Sequence, residues 1–301
     1  MAEALSASRP GPFRIWLLAI RPPTLTAAIA PVLVGTALAI HDEVFAVGPA
    51  AAALFGALAL QVGANLANDV ADFRRGADTE TRLGPPRVTQ QGLVTERGVT
   101  VGAAVAFGLA AAAGVYLTVV AGWIVIAIGL ASIVAAIAYT AGPWPYGYRG
   151  LGDVFVFVFF GLLAVGGTYF VQAGELSGEV LFASIPVGLT VTAILNVNNV
   201  RDIDTDREAG KRTLAVRLGR PLARAQYVVT VVAAYLVAGG LWLVGDFPPF
   251  VLLAWLTLPL AIAPVRAVMH SEDGPTLNGA LRSTARLHLV FAVLLAIGVT
   301  L

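Results

Sequence analysis

The chain contains no cysteine among its 301 residues, and only 12% of its residues are charged. The absence of cysteine excludes disulfides, thiolate metal sites and a cysteine nucleophile. Soluble domains carry about 25% charged residues, so the shortage of charge excludes an ordinary soluble fold. Apolar residues are abundant instead: 58% of the chain is hydrophobic, and the mean hydropathy is +0.82. These values predict an integral membrane protein.

Apolar segments of about 20 residues predict membrane-spanning helices. Nine such segments lie near residues 18–40, 47–69, 99–120, 122–141, 152–173, 180–200, 225–244, 248–268 and 284–301. We therefore predict an all-α, polytopic membrane protein with nine helices around a central cavity, forming one domain over residues 1–301. A four-span unit used twice, with a ninth span added, would make spans two and six run in the same direction.

Charged residues are distributed unevenly between the two sides of this topology. With the N-terminus in the cytoplasm, all 19 Lys and Arg residues fall in inner segments or the adjoining span ends. The only charged residues in the outer loops are acids, namely Asp42, Glu43, Glu175, Glu179 and Asp246. Because basic residues collect on the cytoplasmic side, we predict a cell (inner) membrane protein with its N-terminus inside. Membrane lipid is an expected partner; topology explains the basic loops, so nucleic acid is not.

Two polar clusters occur where apolar runs end on the predicted cytoplasmic side. In the first, Asn65, Asn68, Asp69 and Asp72 are spaced so that one helical face carries all four side chains. Asp78 follows shortly afterwards. The second cluster consists of Asn198, Asn199, Asp202 and Asp206. Both clusters are therefore expected at the same membrane surface.

Three interpretations of these acids are open: ion pairs in a solvated loop, cation or proton transport, and Mg2+ chelation on a phosphorylated substrate. Four aspartates brought together, Asp69, Asp72, Asp202 and Asp206, would repel one another unless a cation neutralised them. The doubled arrangement favours chelation, with two Mg2+ ions suited to a diphosphate. Arg21, Lys211 and Arg212 are the cations assigned to the remaining phosphate charge.

The segment between the clusters, residues 139–153, is rich in proline and glycine and predicts an ordered turn. Its Tyr139, Tyr146 and Tyr148 rings would lie beside the diphosphate, where aromatic faces can stabilise a carbocation. An aromatic belt at the membrane interface is an equally good interpretation. The combination suggests an allylic polyprenyl diphosphate whose tail lies among the apolar spans and whose cation alkylates an aromatic carbon.

The motifs Asn68-Asp69-Val-Ala-Asp72 and Asp202-Ile-Asp-Thr-Asp206 resemble the two aspartate motifs of the UbiA superfamily of intramembrane prenyltransferases. The resemblance covers nearly the whole chain. Within the superfamily, the chain is most similar to the branch that acts on 1,4-dihydroxy-2-naphthoate in menaquinone biosynthesis. The segments that carry this similarity include Arg21-Pro-Pro-Thr-Leu25, Gly142-Pro-Trp-Pro-Tyr-Gly-Tyr-Arg149, Asn198-Asn-Val-Arg-Asp202 and Ala209-Gly-Lys-Arg212. Arg149 joins the candidate diphosphate ligands on this basis.

The resemblance implies Mg2+-dependent transfer of a polyprenyl group to 1,4-dihydroxy-2-naphthoate, with loss of CO2 and diphosphate, to form demethylmenaquinone. The chain departs from the family's first motif at one position. Gly76 occupies the usual position of a third acid, and Asp78 comes two residues later. The rivals are the same chemistry on another acceptor, such as 4-hydroxybenzoate or homogentisate, and a cation-coupled transporter. The prenyl chain length and the role of Asp78 are not defined by these patterns.

Overall fold

Backbone polar groups inside a bilayer must be bonded within the chain, so apolar segments of membrane length fold as helices. The computed structural model describes residues 10–76, 83–84 and 86–301, and every regular element within these ranges is helical. The helices are α1 (Pro12–Ile20), α2 (Pro22–His41), α3 (Val47–Arg74), α4 (Glu96–Ala121), α5 (Ile124–Ala138), α6 (Gly152–Ala173), α7 (Gly178–Arg201), α8 (Ile203–Glu208), α9 (Leu214–Leu218), α10 (Arg220–Val244), α11 (Pro249–His270) and α12 (Gly274–Thr300).

Eight of these helices are long and apolar enough to cross a membrane, and α5 is a shorter apolar helix of 15 residues. Together they correspond to the nine predicted spans, which confirms the all-α polytopic class. A short 3-10 turn, Tyr146–Arg149, lies in the segment predicted to be a turn. The division into two four-span units stays a prediction.

The last span begins ten residues earlier than residue 284, where the sequence placed it. The carboxylate of Asp273 accepts a hydrogen bond from the Thr276 backbone N–H at 2.8 Å, and a proline occupies the first turn. Both features favour a helix start. The boundary was wrong because Arg282 and Arg286 interrupt the apolar run. In the structure both arginines lie inside α12.

The first span also begins differently, because the chain turns sharply between α1 and α2. Arg21 forms this corner with a left-handed backbone, φ 58°, a conformation that costs a non-glycine residue about 1–2 kcal/mol. Ile15 and Ala19 of α1 pack into a buried cluster with Leu66 of α3. That packing holds the corner, and with it the Arg21 side chain, close to the first polar cluster.

Small residues set the spacing of α6 and α7. A Cβ on Gly161 would lie 2.6 Å from the Cα of Gly188, so the two backbones approach as closely as glycine allows. The contact falls in a π-helical stretch, Phe157–Leu163. Such stretches often occur at functional sites. Here the stretch places Phe159 and Phe160 on the cavities described below.

The largest buried cluster lies among α2, α7, α10, α11 and α12. The two polar clusters lie at one end of the helices that carry them, α3 and α7. At the opposite end the Asp42 carboxylate accepts a hydrogen bond from the Tyr169 hydroxyl at 2.5 Å. One end of the bundle is therefore rich in paired charges, whereas few polar contacts are described at the opposite end.

Candidate active site

The two aspartate motifs meet at one lysine. The Lys211 ammonium lies 3.3 Å from Asp72 Oδ1, at the end of α3, and 4.0 Å from Asp206 Oδ1, in α8. Residues more than 130 positions apart along the chain are thus in direct contact. The expected convergence of the two motifs is present in the structure.

A polar cavity of about 460 Å³ opens between the motifs. Ten of the predicted site residues line it: Arg21, Asn68, Asp72, Tyr139, Tyr148, Asn198, Asn199, Asp202, Asp206 and Lys211. Five cationic and three anionic side chains contribute to the described lining. An excess of positive charge in a partly enclosed site favours anionic ligands.

A second, apolar cavity of about 350 Å³ runs between α2, α3, α4, α5 and α6. Five residues line both cavities, namely Gln61, Asn68, Tyr139, Val156 and Phe160. The two spaces therefore adjoin at these five side chains, and we call the apolar one the tunnel. Two further predicted residues, Asn65 and Tyr146, line the tunnel rather than the polar cavity.

The Asp72 carboxylate accepts hydrogen bonds from three side chains. Its Oδ2 accepts from Arg87 at 2.8 Å, and its Oδ1 accepts from the Tyr148 hydroxyl at 2.8 Å and from Lys211. The Lys211 ammonium also lies 4.8 Å from the centre of the Tyr148 ring. Burial makes these charge-assisted bonds strong. Asp72 therefore fixes the positions of two cations that face the cavity.

Asp202 is held in a similar way by Arg201, which is only 2% exposed. The guanidinium donates to both carboxylate oxygens at 2.7 and 2.6 Å. It also donates to Asn198 Oδ1 at 2.9 Å and to Asn278 Oδ1 at 2.7 Å. The bond to Asn278 connects α7 to α12. The bidentate pair with Asp202 orients the second motif.

Burial, opposed by the nearby Lys211 ammonium, raises the pKa of Asp206 to about 7, and the neighbouring Asp202 and Asp72 carboxylates contribute to the increase. A raised carboxyl pKa means that the anionic form lacks sufficient positive charge around it. A cation delivered to the cavity would supply that charge.

Asp69 has different partners from those predicted for a metal ligand. It is 1% exposed and is absent from the lining of both cavities. Its two oxygens accept from the backbone N–H groups of Val88 and Thr89, each at 3.2 Å. These bonds hold the segment that carries Arg87. In this structure Asp69 therefore positions that segment, and its assignment as a metal ligand stays a prediction.

Three other predicted residues lie away from the cavities or outside the described residues. The exposed Arg149 guanidinium lies 5.1 Å from the centre of the Trp144 ring. Arg212 is exposed, and its backbone N–H donates to the carbonyl of Tyr148. Neither side chain lines the polar cavity. Asp78 lies outside the described residues.

Several residues of the site were not predicted. Arg87 was counted only as evidence of topology, and Arg201 had no site role assigned although it directly precedes Asp202 in a segment that carries the family resemblance. Thr140, which donates to Asn68 Oδ1 at 2.8 Å, connects α3 to the turn after α5. The sequence signal that could have identified such a residue is an arginine directly beside an acid of an aspartate motif.

The described part of the chain contains no group of three or more His, Cys, Asp or Glu side chains arranged to hold a metal ion. Mg2+ in phosphate-handling sites usually takes one or two carboxylates, with waters and substrate phosphates completing its shell. Asp72, Asp202 and Asp206 face one cavity and fit that pattern. The donor set therefore fits Mg2+ bound together with a phosphorylated ligand.

Residues 28–299 match the UbiA prenyltransferase family. The chain therefore belongs to this family of membrane-embedded enzymes. The predicted family, enzyme class and fold class are confirmed. The transporter interpretation loses its basis, since the acids belong to the site of an enzyme family.

Individual relatives are similar over nearly the full length. The chain is 39% identical over 297 residues to "1,4-dihydroxy-2-naphthoate octaprenyltransferase" of Escherichia coli (strain K12), covering 95% of each chain. It is 38% identical to the protein of the same name in Mycobacterium tuberculosis (strain ATCC 25618 / H37Rv), covering 94% of this chain and 96% of the relative. A UbiA homologue from Archaeoglobus fulgidus, solved with GPP and Mg2+, has the same fold, with a TM-score of 0.63 at 15% identity, covering 93% of this chain and 99% of that one.

Proposed function

We propose that this chain transfers a polyprenyl group from polyprenyl diphosphate to 1,4-dihydroxy-2-naphthoate, releasing CO2 and diphosphate and forming demethylmenaquinone in its quinol form. The observation that carries the proposal is that the polar cavity adjoins the tunnel at Asn68 and Tyr139. One molecule with an anionic head and a long apolar tail fits such a pair of spaces. The naphthoate acceptor is supported by the names of the relatives.

Each end of the donor has its own set of residues. Lys211 and Arg87 present cations to the diphosphate, and their contacts with Asp72 fix where those charges lie. Asp72, Asp202 and Asp206 would hold two Mg2+ ions, which would neutralise charge on the leaving diphosphate. The prenyl chain extends from Tyr139 into the tunnel among the apolar side chains of α2 to α6.

The chemistry takes place where the cavities join. The bond between the allylic carbon and the diphosphate oxygen breaks, and its electron pair leaves with the diphosphate. The allylic carbon then bonds to the ring carbon that bears the carboxylate. CO2 departs, and the electron pair of its bond restores the aromatic ring. Tyr139, which lines both spaces, offers its ring to the developing cation.

The enclosure protects this cation from water. Tyr146 donates to the carbonyl of Ala135 at 2.9 Å and stacks on Phe155 with ring centres 3.9 Å apart. Tyr139 contacts Tyr146 edge to face at 5.4 Å. These rings form a rigid aromatic wall at the junction. These contacts support the proposal that Tyr139 stabilises the cation and that Tyr146 holds its ring in place.

The orientation in the membrane can be proposed from the position of the charged residues. We propose that the charged end of the bundle faces the cytoplasm of the cell, where a water-soluble naphthoate is available. The apolar tail would enter from lipid. The basic residues at this end agree with such an orientation.

The test is product analysis on purified protein reconstituted in nanodiscs. We expect 1,4-dihydroxy-2-naphthoate and a ladder of prenyl diphosphates to yield a prenylated, decarboxylated product by mass spectrometry, and EDTA to abolish it. Asp72→Asn serves as the inactive comparison. Product formed from 4-hydroxybenzoate or homogentisate, with none from the naphthoate, would replace the proposed acceptor.

A further inference from the structure

Arg282 is a cation of the polar cavity that does not contact the aspartate motifs. Arg282 lines the cavity from α12, whereas Arg87, Arg201 and Lys211 each contact a motif aspartate. Within the described part of the chain, the Arg282 guanidinium makes no hydrogen bond or ion pair. Its charge is therefore available to a ligand.

Arg282 is an exposed residue in the first half of α12. The residue lies eight positions after the start of α12, at Gly274, or about 12 Å along the helix axis. An arginine within a membrane-spanning helix is expected to face a water-filled cavity or a partner and to mark a functional site. Arg282 does line a cavity, and none of the described side chains pairs with it.

The side of the cavity that Arg282 occupies is fixed by its neighbour one turn earlier. Asn278 accepts from Arg201 at 2.7 Å and donates to the carbonyl of Leu83 at 2.7 Å. Residues 278 and 282 share one helical face. Arg282 is therefore held beside the second motif, on a helix that carries none of the motif residues.

Resting on the proposed function, we propose that Arg282 binds the carboxylate of the aromatic acceptor. The donor diphosphate has Lys211 and Arg87 at the motif side of the cavity. The carboxylate of the acceptor needs a cationic partner of its own, so that the carbon bearing it is presented towards Tyr139. Arginine suits a carboxylate because its planar donors match both oxygens.

The experiment compares wild type, Arg282→Gln, Arg282→Lys and Arg286→Gln in nanodiscs. Arg286 provides the matched control, since it lies one turn further along α12, is exposed and does not line the cavity. Binding is titrated with three probes: 1,4-dihydroxy-2-naphthoate, its methyl ester, and geranylgeranyl thiodiphosphate as a slowly reacting donor.

We expect Arg282→Gln to weaken naphthoate binding about 10- to 100-fold, the loss of a charge-assisted contact. Binding of the ester and of the thiodiphosphate should stay unchanged in the same variant, which also shows that it is folded. Arg282→Lys should fall between the two, and Arg286→Gln should match wild type. KM for the naphthoate should rise in parallel with the loss of binding.

Equal naphthoate binding by wild type and Arg282→Gln would overturn the inference. So would a loss confined to the thiodiphosphate, because the anion held by Arg282 would then be a phosphate. If the proposed function were wrong, the wild-type protein would make no product from the naphthoate, which is a separate result. The inference about Arg282 fails only in the comparison between variants.

Discussion

Replacing Asp69 with asparagine separates the two roles that an acid in the first motif can have. Its oxygens accept two backbone hydrogen bonds, from Val88 and Thr89, while the side chain is 1% exposed. Asparagine keeps one acceptor oxygen and places an amide N–H group against the other backbone donor. The loss of one charge-assisted bond in a buried site costs about 1.5–3 kcal/mol. The segment that carries Arg87 should loosen by that amount.

The assay is a Mg2+ titration of turnover, run beside thermal unfolding in detergent. Asp69→Asn should unfold at a lower temperature and turn over more slowly, with an unchanged Mg2+ concentration at half-maximal rate. Asp72→Asn should instead raise that concentration about tenfold or more, or abolish turnover, because its carboxylate faces the cavity. The two neighbouring acids thereby give different signatures.

Asp273→Asn provides the matched control. Asp273 caps α12 in an exposed position, and asparagine caps a helix about as well as aspartate. The control should leave stability and Mg2+ dependence unchanged. If Asp69→Asn moved the Mg2+ requirement as Asp72→Asn does, without loss of stability, Asp69 would be a metal ligand and our geometric argument would be wrong.

Three further outcomes are expected. Tyr139→Phe should keep most activity, whereas Tyr139→Ala should lower kcat about 5- to 30-fold in steady-state assays, from a cation–π contribution of about 1–2 kcal/mol; equal effects would exclude the ring. Gly114 lines the tunnel with open space around it, and Gly108 of the same helix does not line it, so Gly114→Leu should shift the preferred prenyl donor to shorter chains by mass spectrometry while Gly108→Leu should not. The cysteine-free chain allows single-cysteine labelling with an impermeant maleimide, which should reach Glu175→Cys but not Glu208→Cys in intact cells; the reverse would invert the topology.

The spans and the convergence of the motifs followed from composition, because lipid leaves the backbone few choices and basic residues mark one side. Asn68, Asp72 and Asp206 could be placed together on that reasoning alone. Their common surface needed only helix direction and the position of each motif at a span end.

Other features depended on contacts between distant segments, which spacing does not contain. Asp69 shares a helical face with Asp72, yet a returning loop covers it and occupies both its oxygens. Arg149 was assigned to phosphate, but its guanidinium stacks on Trp144. The start of α12 was misplaced because the hydropathy of Arg282 was given more weight than the capping signal at Asp273. In each case a local rule was overridden by tertiary packing.

Lys211 is a built-in counter-ion for both aspartate motifs. Held between Asp72 and Asp206, its ammonium group joins the two halves of the site before any ligand arrives. An incoming phosphate competes with both carboxylates for the same positive group, so capturing the donor and freeing oxygen ligands for a divalent ion become a single exchange. Binding of the donor and binding of the divalent ion would therefore be coupled through Lys211, Asp72 and Asp206.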